Sequence, residues 1–94
     1  MEREIINWAK ARNLDNPDNK FQQLAKVMEE LGELSSAILK KDITESIDAL
    51  GDTYVTLVIL AHQMGYSLED CAKQAFKVIE YRTGRTESGT FIKD

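Results

Sequence analysis

Apolar and polar residues alternate along this chain with the period of helices. Between Glu2 and Arg12, Ile5, Ile6 and Ala9 share one side with Trp8 beside them, which predicts a first short helix. Asn13 to Asn19 is a turn cluster holding the only proline. Asp18 or Asn19 is placed to cap a second helix running to about Leu39, with Leu24, Val27, Leu31, Leu34 and Ile38 as its apolar stripe. Lys40 and Lys41 sit where cations favour a helix C-terminus. Asp42-Ile43-Thr44-Glu45 then matches a capping box, and the third helix it opens continues to about Gln63, before Gly65. The segment Tyr54 to Ala61 is apolar nearly all round and is expected to be buried on several sides. Ser67-Leu68-Glu69-Asp70 starts a fourth helix ending near Arg82, and residues 85–94 read as a polar tail docked by Phe91 and Ile92, with no convincing strand. The expected fold is all-α, a small four-helix bundle formed by residues 1–94 as one domain.

Composition narrows the functions open to such a bundle. A net charge of −4 and a pI near 5.0 give no basic field for a nucleic acid partner. The single cysteine, Cys71, excludes an internal disulfide and fits a reducing compartment. The N-terminus lacks a signal-peptide pattern, and the longest apolar run, Val55 to Ala61, is too short to span a bilayer. The expectation is a cytoplasmic protein with no membrane partner. At 94 residues the chain leaves much apolar surface wet unless it associates. The apolar third helix therefore predicts at least a homodimer.

The acids carry the chemistry. Glu29-Glu30-Leu31-Gly32-Glu33 is echoed by Asp48-Ala49-Leu50-Gly51-Asp52, each leading into apolar helix. Glycine inside a helix costs about 1 kcal/mol against alanine, so the pair Gly32 and Gly51 suggests close backbone approach between the two helices. At helical spacing Glu30 and Glu33 flank the apolar stripe with Gln23 and Lys26 beside them, whereas Glu29 falls on the solvated side. Asp48 and Asp52, four apart, share a face with Val55, Ile59 and His62, toward the packed side and with no basic residue within one turn. Carboxylates this close raise each other's pKa unless a cation intervenes, and a hard divalent ion implies phosphate chemistry. Magnesium is the expected cofactor. Taken alone, Glu29-Glu30-x-x-Glu33 also suits an ordinary solvated helix face.

In this order the residues resemble the MazG-type all-α nucleoside triphosphate pyrophosphohydrolases. Their signature is Glu-Glu-x-x-Glu on one helix and Glu-x-x-Asp on the next, the latter ending in Leu-Gly-Asp before apolar residues. Glu29 to Glu33 and Leu50-Gly51-Asp52 match it. Gln23 and Lys26 match short phage and bacterial members, as do the endings Arg82-Thr83-Gly84-Arg85 and Gly89-Thr90-Phe91-Ile92-Lys93. The resemblance covers about Trp8 to Lys93. It implies a bundle that assembles as a dimer or a dimer of dimers and splits a nucleoside triphosphate into monophosphate and pyrophosphate. It implies magnesium on Glu30, Glu33 and Asp52, with Glu29 outermost, and Glu30 or Glu33 as the base that activates water. Lys26, Lys77 and Arg82 are candidates for phosphate contacts, Gln23 for a substrate contact, and Trp8 or Tyr54 for stacking on a base. One departure stands out: the family glutamate three residues before Asp52 is Ala49, so Asp48 is the expected substitute ligand. Glu45-Ser46-Ile47-Asp48 is an alternative Glu-x-x-Asp register, at the cost of the Leu-Gly-Asp alignment. Two other readings follow from Ala49: a non-catalytic interaction module, and a nucleotide sensor without turnover.

Overall fold

The structure, a computed structural model, describes residues 1–94. Four helices form in order: α1 (Glu2–Ala11), α2 (Lys20–Leu39), α3 (Ile43–Gln63) and α4 (Leu68–Ile79). A 3₁₀ turn, Pro17–Asn19, leads into α2, and two short strands, β1 (Gly84–Glu87) and β2 (Thr90–Lys93), close the chain. The all-α bundle expected from the periodicity is what the chain forms. No helix is long and apolar enough to cross a membrane.

Local chemistry explains the helix starts. The Asp42 carboxylate accepts from the Glu45 amide at 3.0 Å, and the Ser67 hydroxyl accepts from the Asp70 amide at 3.3 Å, so both side chains cap their helices. The start of α2 differs from expectation. Asn16 accepts from the Asp18 amide and caps the 3₁₀ turn, while Asn19, at the N-cap of α2, makes no side-chain cap bond. The start of α4 has a second acceptor from α1: Glu2 takes hydrogen bonds from the Ser67 hydroxyl at 3.0 Å and the Glu69 amide at 2.9 Å.

α2 and α3 are consecutive long helices joined by Lys40–Asp42, and they pack along each other as an antiparallel hairpin. α1 lies across the second half of α3, where Ile5, Ala9, Val58 and Ile59 make the core, flanked by Ile6, Val55 and Leu68. The apolar run of α3 is accordingly buried or half-buried from Val55 to Ala61, with Tyr54 at its exposed edge.

Four further expectations need correction. α4 stops at Ile79 rather than near Arg82, and residues 84–93 form an antiparallel hairpin, not an unstructured tail. Ser88 (φ 50°) and Gly89 (φ 80°) supply the two positive-φ positions of a tight two-residue turn. A Cβ at Gly84 would lie 2.7 Å from the Phe91 ring and would strike the Ile92 carbonyl, so β1 tolerates only glycine there. Phe91 and Ile92 are exposed and do not dock the segment onto the helices. Finally, a Cβ added at Gly32 or Gly51 would meet nothing within 4 Å, so these glycines mark no close backbone approach within the chain.

The stripe of α2 is also displaced. Its buried residues are Gln23, Val27, Glu30 and Ala37, with Leu34 half-buried. Leu24, Leu31 and Ile38 face outward instead. The face that α2 turns to α3 is therefore partly polar.

Candidate functional site

That polar face is pinned by one hydrogen bond. The Gln23 side-chain Nε2 donates to the Thr56 carbonyl at 3.1 Å, across the α2–α3 seam. Counting along antiparallel helices from this bond places Glu30 opposite Ala49 and Glu33 opposite Ser46. Ala49 is 1% exposed, and a small side chain at that level leaves room in the seam for the buried Glu30.

Glu30 is 6% exposed. One of its oxygens, Oε1, lies 3.7 Å from the Lys26 ammonium; the other, Oε2, is buried with no hydrogen-bond partner. An unpartnered buried carboxylate oxygen is costly, and native structures rarely leave one without a ligand, water or ion. Burial, then the neighbouring Glu33 carboxylate, push the Glu30 pKa up, against the opposing pull of Lys26. Asp52, half-buried on α3, is also pushed up, first by burial, then by Asp48, then by Glu30. Glu30 thus acts on Asp52 across the α2–α3 seam, with Glu33 beside Glu30 on one helix and Asp48 beside Asp52 on the other. Lys26 is the one cation that acts on both Glu30 and Asp52. It also lies 3.4 Å from Glu29, and that pairing chiefly raises its own pKa.

The structure corrects the expected burial of the acids. Asp48 and Glu33 are exposed, Asp52 is half-buried, and Glu30 is the one acid in the cluster that is fully buried. Neither aspartate pairs with a cation, as the absence of a basic residue within one turn on α3 leads one to expect; Lys26 acts on Asp52 only at longer range from α2. Glu29 is exposed, as its helical position predicts. No three acidic, thiol or imidazole side chains stand close enough together to hold a metal ion as the side chains are now placed. The donor chemistry nonetheless suits a hard divalent cation: all-oxygen ligands, an orphaned Glu30 oxygen and two carboxyls whose charged forms are destabilised.

Two cavities flank this cluster. Glu33 lines one of about 260 Å³ with Ser36, Lys40, Asp42 and Glu45, so Glu45, whose amide receives the Asp42 cap, also borders the acidic region. Lys26 and Gln23 line another of about 440 Å³, with Leu14, Asn19, Gln22 and Gln63. Other candidates lie apart. Trp8 stands on α1, its ring covered by the Arg12 guanidinium at 4.2 Å, beside a small apolar cavity shared with Val55. Lys77 and Arg82 are exposed at and beyond the end of α4 and form no ion pair. The sequence carries no signal for Gln63, since a lone amide at a helix end has no periodic or spacing signature.

Comparison with known proteins bears on these residues. Over 61 residues the chain is 41% identical to an uncharacterized 18.2 kDa protein in the rep-hol intergenic region of Haemophilus phage HP1 (strain HP1c1). That match covers 65% of this chain but 37% of the phage protein's length. No solved structure matches the chain. Residues 5–77, which include every acid of the α2–α3 cluster, match the phosphoribosyl-ATP pyrophosphohydrolase family. The chain belongs to that family, and so to the MazG-like all-α group.

Proposed function

We propose that this protein is a magnesium-dependent pyrophosphohydrolase acting on nucleoside triphosphates, ribo- or deoxyribo-, releasing a nucleoside monophosphate and pyrophosphate. The observation that carries the reading is the buried Glu30 carboxylate, with an oxygen left unpartnered, on the α2 face turned to α3, where its charge acts on Asp52. Family membership supports the same chemistry. The substrate in the family's name also carries a triphosphate.

In this reading Glu30, Glu33, Asp48 and Asp52 hold magnesium, with Glu29 at the rim. Bound there, the ion would supply charge neutralisation for the phosphates and a lowered pKa for bound water. Glu33 and Asp48 are exposed, and in this reading their side chains would turn toward Glu30 and Asp52 when the ion binds. Glu33 accepts the proton of the attacking water, being next to Glu30 but less committed to the seam. Lys26 pairs with a phosphate oxygen while restraining Glu30. Gln23 positions the substrate beside Lys26, whereas Lys77, Arg82 and Trp8 enter the site only from another copy or by movement of α4 and α1.

Self-association forms part of the proposal. α2 exposes Phe21, Leu24, Met28, Leu31 and Ile38, and α3 exposes Ile43, Ile47, Leu50 and Tyr54. The α3 set steps by four, three and four residues, and the α2 set by three, four and three before a final step of seven, the spacing of helices that pack side by side. The chain's radius of gyration is 15.8 Å, against about 12 Å for a closed domain of this length. A homodimer joined through the α2–α3 faces, or a homotetramer built from two, would cover these stripes.

A second reading, nucleotide binding without turnover, is favoured by Ala49 standing where the family carries glutamate and by the open spacing of the acids. Incubation with a panel of ribo- and deoxynucleoside triphosphates, with and without magnesium, separates the two. Magnesium-dependent monophosphate plus pyrophosphate is the expected result. Folded protein that is stabilised by nucleotide but forms no product would instead select the binding reading.

A further inference from the structure

A small apolar cavity lies where α1 crosses α3, one helical turn from Asp52. It holds about 290 Å³ and is lined by Ile5 and Trp8 of α1 and Val55 of α3, with Glu4 as its one polar wall. Val55 follows Asp52 by three residues, so the two share a flank of α3, about 4.5 Å apart along its axis. Trp8 is 47% exposed, although Ile5 and Ala9 beside it on α1 are core residues. Its indole is nevertheless held in place. Arg12 donates from Nη1 to the Trp8 carbonyl at 3.0 Å, which keeps the guanidinium over the ring at 4.2 Å. Trp8 thus presents a fixed aromatic surface beside a recess that the fold leaves open. Small-molecule pockets run from roughly 300 to 1,000 Å³, so this recess suits one flat ring rather than a whole nucleotide.

We propose that this cavity takes the base of the substrate nucleotide, which packs against the Trp8 indole while the phosphates lie at Asp52 and Glu30. The proposal rests on the nucleotide reading of the acids above. Trp8 stands outside the ion site and does not have to enter it, because the sugar separates base from phosphates within one nucleotide. The order Trp8, Val55, Asp52 along this flank matches base, sugar and phosphates in turn. The larger cavity lined by Tyr66 and α4 lies past the C-terminal end of α3, several turns from Asp52, and has no such relation to the acids. An apolar recess beside an aromatic ring reads a base by its face, which every base has. The pocket therefore accepts bases as a class and selects little among their edges.

Trp8 is the chain's single tryptophan, which makes its fluorescence a direct test. The protein is titrated with α,β-methylene nucleoside triphosphates, which the proposed hydrolysis cannot cleave, and separately with inorganic tripolyphosphate, both with magnesium. The nucleotides are expected to change the Trp8 emission to saturation. Tripolyphosphate is expected to displace them from the acids while leaving the emission of the nucleotide-free protein unchanged. Calorimetry on two variants gives the second readout. Trp8→Ala should weaken nucleotide binding by about tenfold or more, the scale of losing one base–aromatic stack, and leave tripolyphosphate binding as it was. Trp8→Phe keeps a ring and should restore most of the affinity. A purely structural role for Trp8 would weaken both ligands together. That result, or nucleotide binding that leaves the Trp8 emission still, would overturn the proposal. If nucleotides bind at Trp8 while cleavable triphosphates are not hydrolysed, the pocket stands and the hydrolase reading falls. If triphosphates are hydrolysed while Trp8 ignores them, the pocket alone falls. Nucleotides that neither bind nor react would remove both.

Discussion

The two faces of α2 are inverted relative to an ordinary surface helix. The face turned to α3 buries Gln23 and Glu30 beside Val27 and Ala37, whereas the outward face shows Phe21 at 72% and Met28 at 60% exposure, with Leu24, Leu31 and Ile38 in line. An amphipathic helix normally buries its apolar stripe and solvates its polar one. Only 13 of 94 residues are buried in the chain alone, so folding this monomer does not satisfy the outer stripe. The inversion separates two tasks: the inner, polar face builds a site, and the outer, apolar face awaits another helix surface. A carboxylate retained in the seam destabilises the fold unless something binds it, which is why the inner face points to a ligand.

Substitutions on the two faces should therefore have different signatures. On the inner face, Asp52→Asn or Glu30→Gln should lower kcat/KM by at least about a hundredfold, as expected for losing several kcal/mol of charge stabilisation. Steady-state pyrophosphate release measures it, and activity within twofold of the parent would break the assignment. On the outer face, Leu31→Glu should weaken self-association by roughly thirtyfold or more, the scale of an interface hot spot. Light scattering at micromolar concentration would then report the 10.7 kDa monomer, with the parent protein at twice that mass or more. A monomeric parent would remove the interface from the account.

Smaller effects sharpen the same comparison. Asp48→Asn should raise the magnesium concentration needed for half-maximal rate by about tenfold, if Asp48 supplies the oxygen absent at Ala49. An unchanged magnesium profile would assign no ligand role to Asp48. Glu2→Gln removes a charged acceptor from the α4 N-terminus and should cost about 1 kcal/mol in urea unfolding. Because Glu2 is remote from the α2–α3 seam, magnesium dependence should stay as it was.

Much of this architecture was legible in the chain. The caps at Asp42 and Ser67 and the helical periods follow from short-range spacing, whereas the placing of α2 beside α3 is a tertiary outcome. The buried stripe of α2 was misplaced because periodicity finds the most apolar face, and in this chain that face is not the one α3 covers. The hairpin has little signature in the sequence because each strand is four residues long and exposed throughout, with no buried face to impose alternation. Its one local signal, Ser88-Gly89, is a turn dipeptide found in many loops. Gly32 and Gly51 echo one another in sequence, yet nothing in the chain approaches either. Arg82 is a phosphate candidate by resemblance and Lys77 only by its charge; α4 packs on α3 and gives neither an acidic partner within the chain.

The claim that the seam acids await a cation has a direct test in their titration. Burial and neighbouring charge hold Glu30 and Asp52 above the ordinary carboxylate range, so the folded chain binds these protons more tightly than the unfolded one. The stability they contribute is full below the unfolded carboxylate range and is lost as pH rises through the raised folded values. A pH titration of the two side-chain carboxyl ¹³C resonances, with and without magnesium, reads both states at the atoms concerned. The account predicts raised values in the metal-free protein that fall when magnesium is added. Raised values that magnesium leaves in place would contradict it.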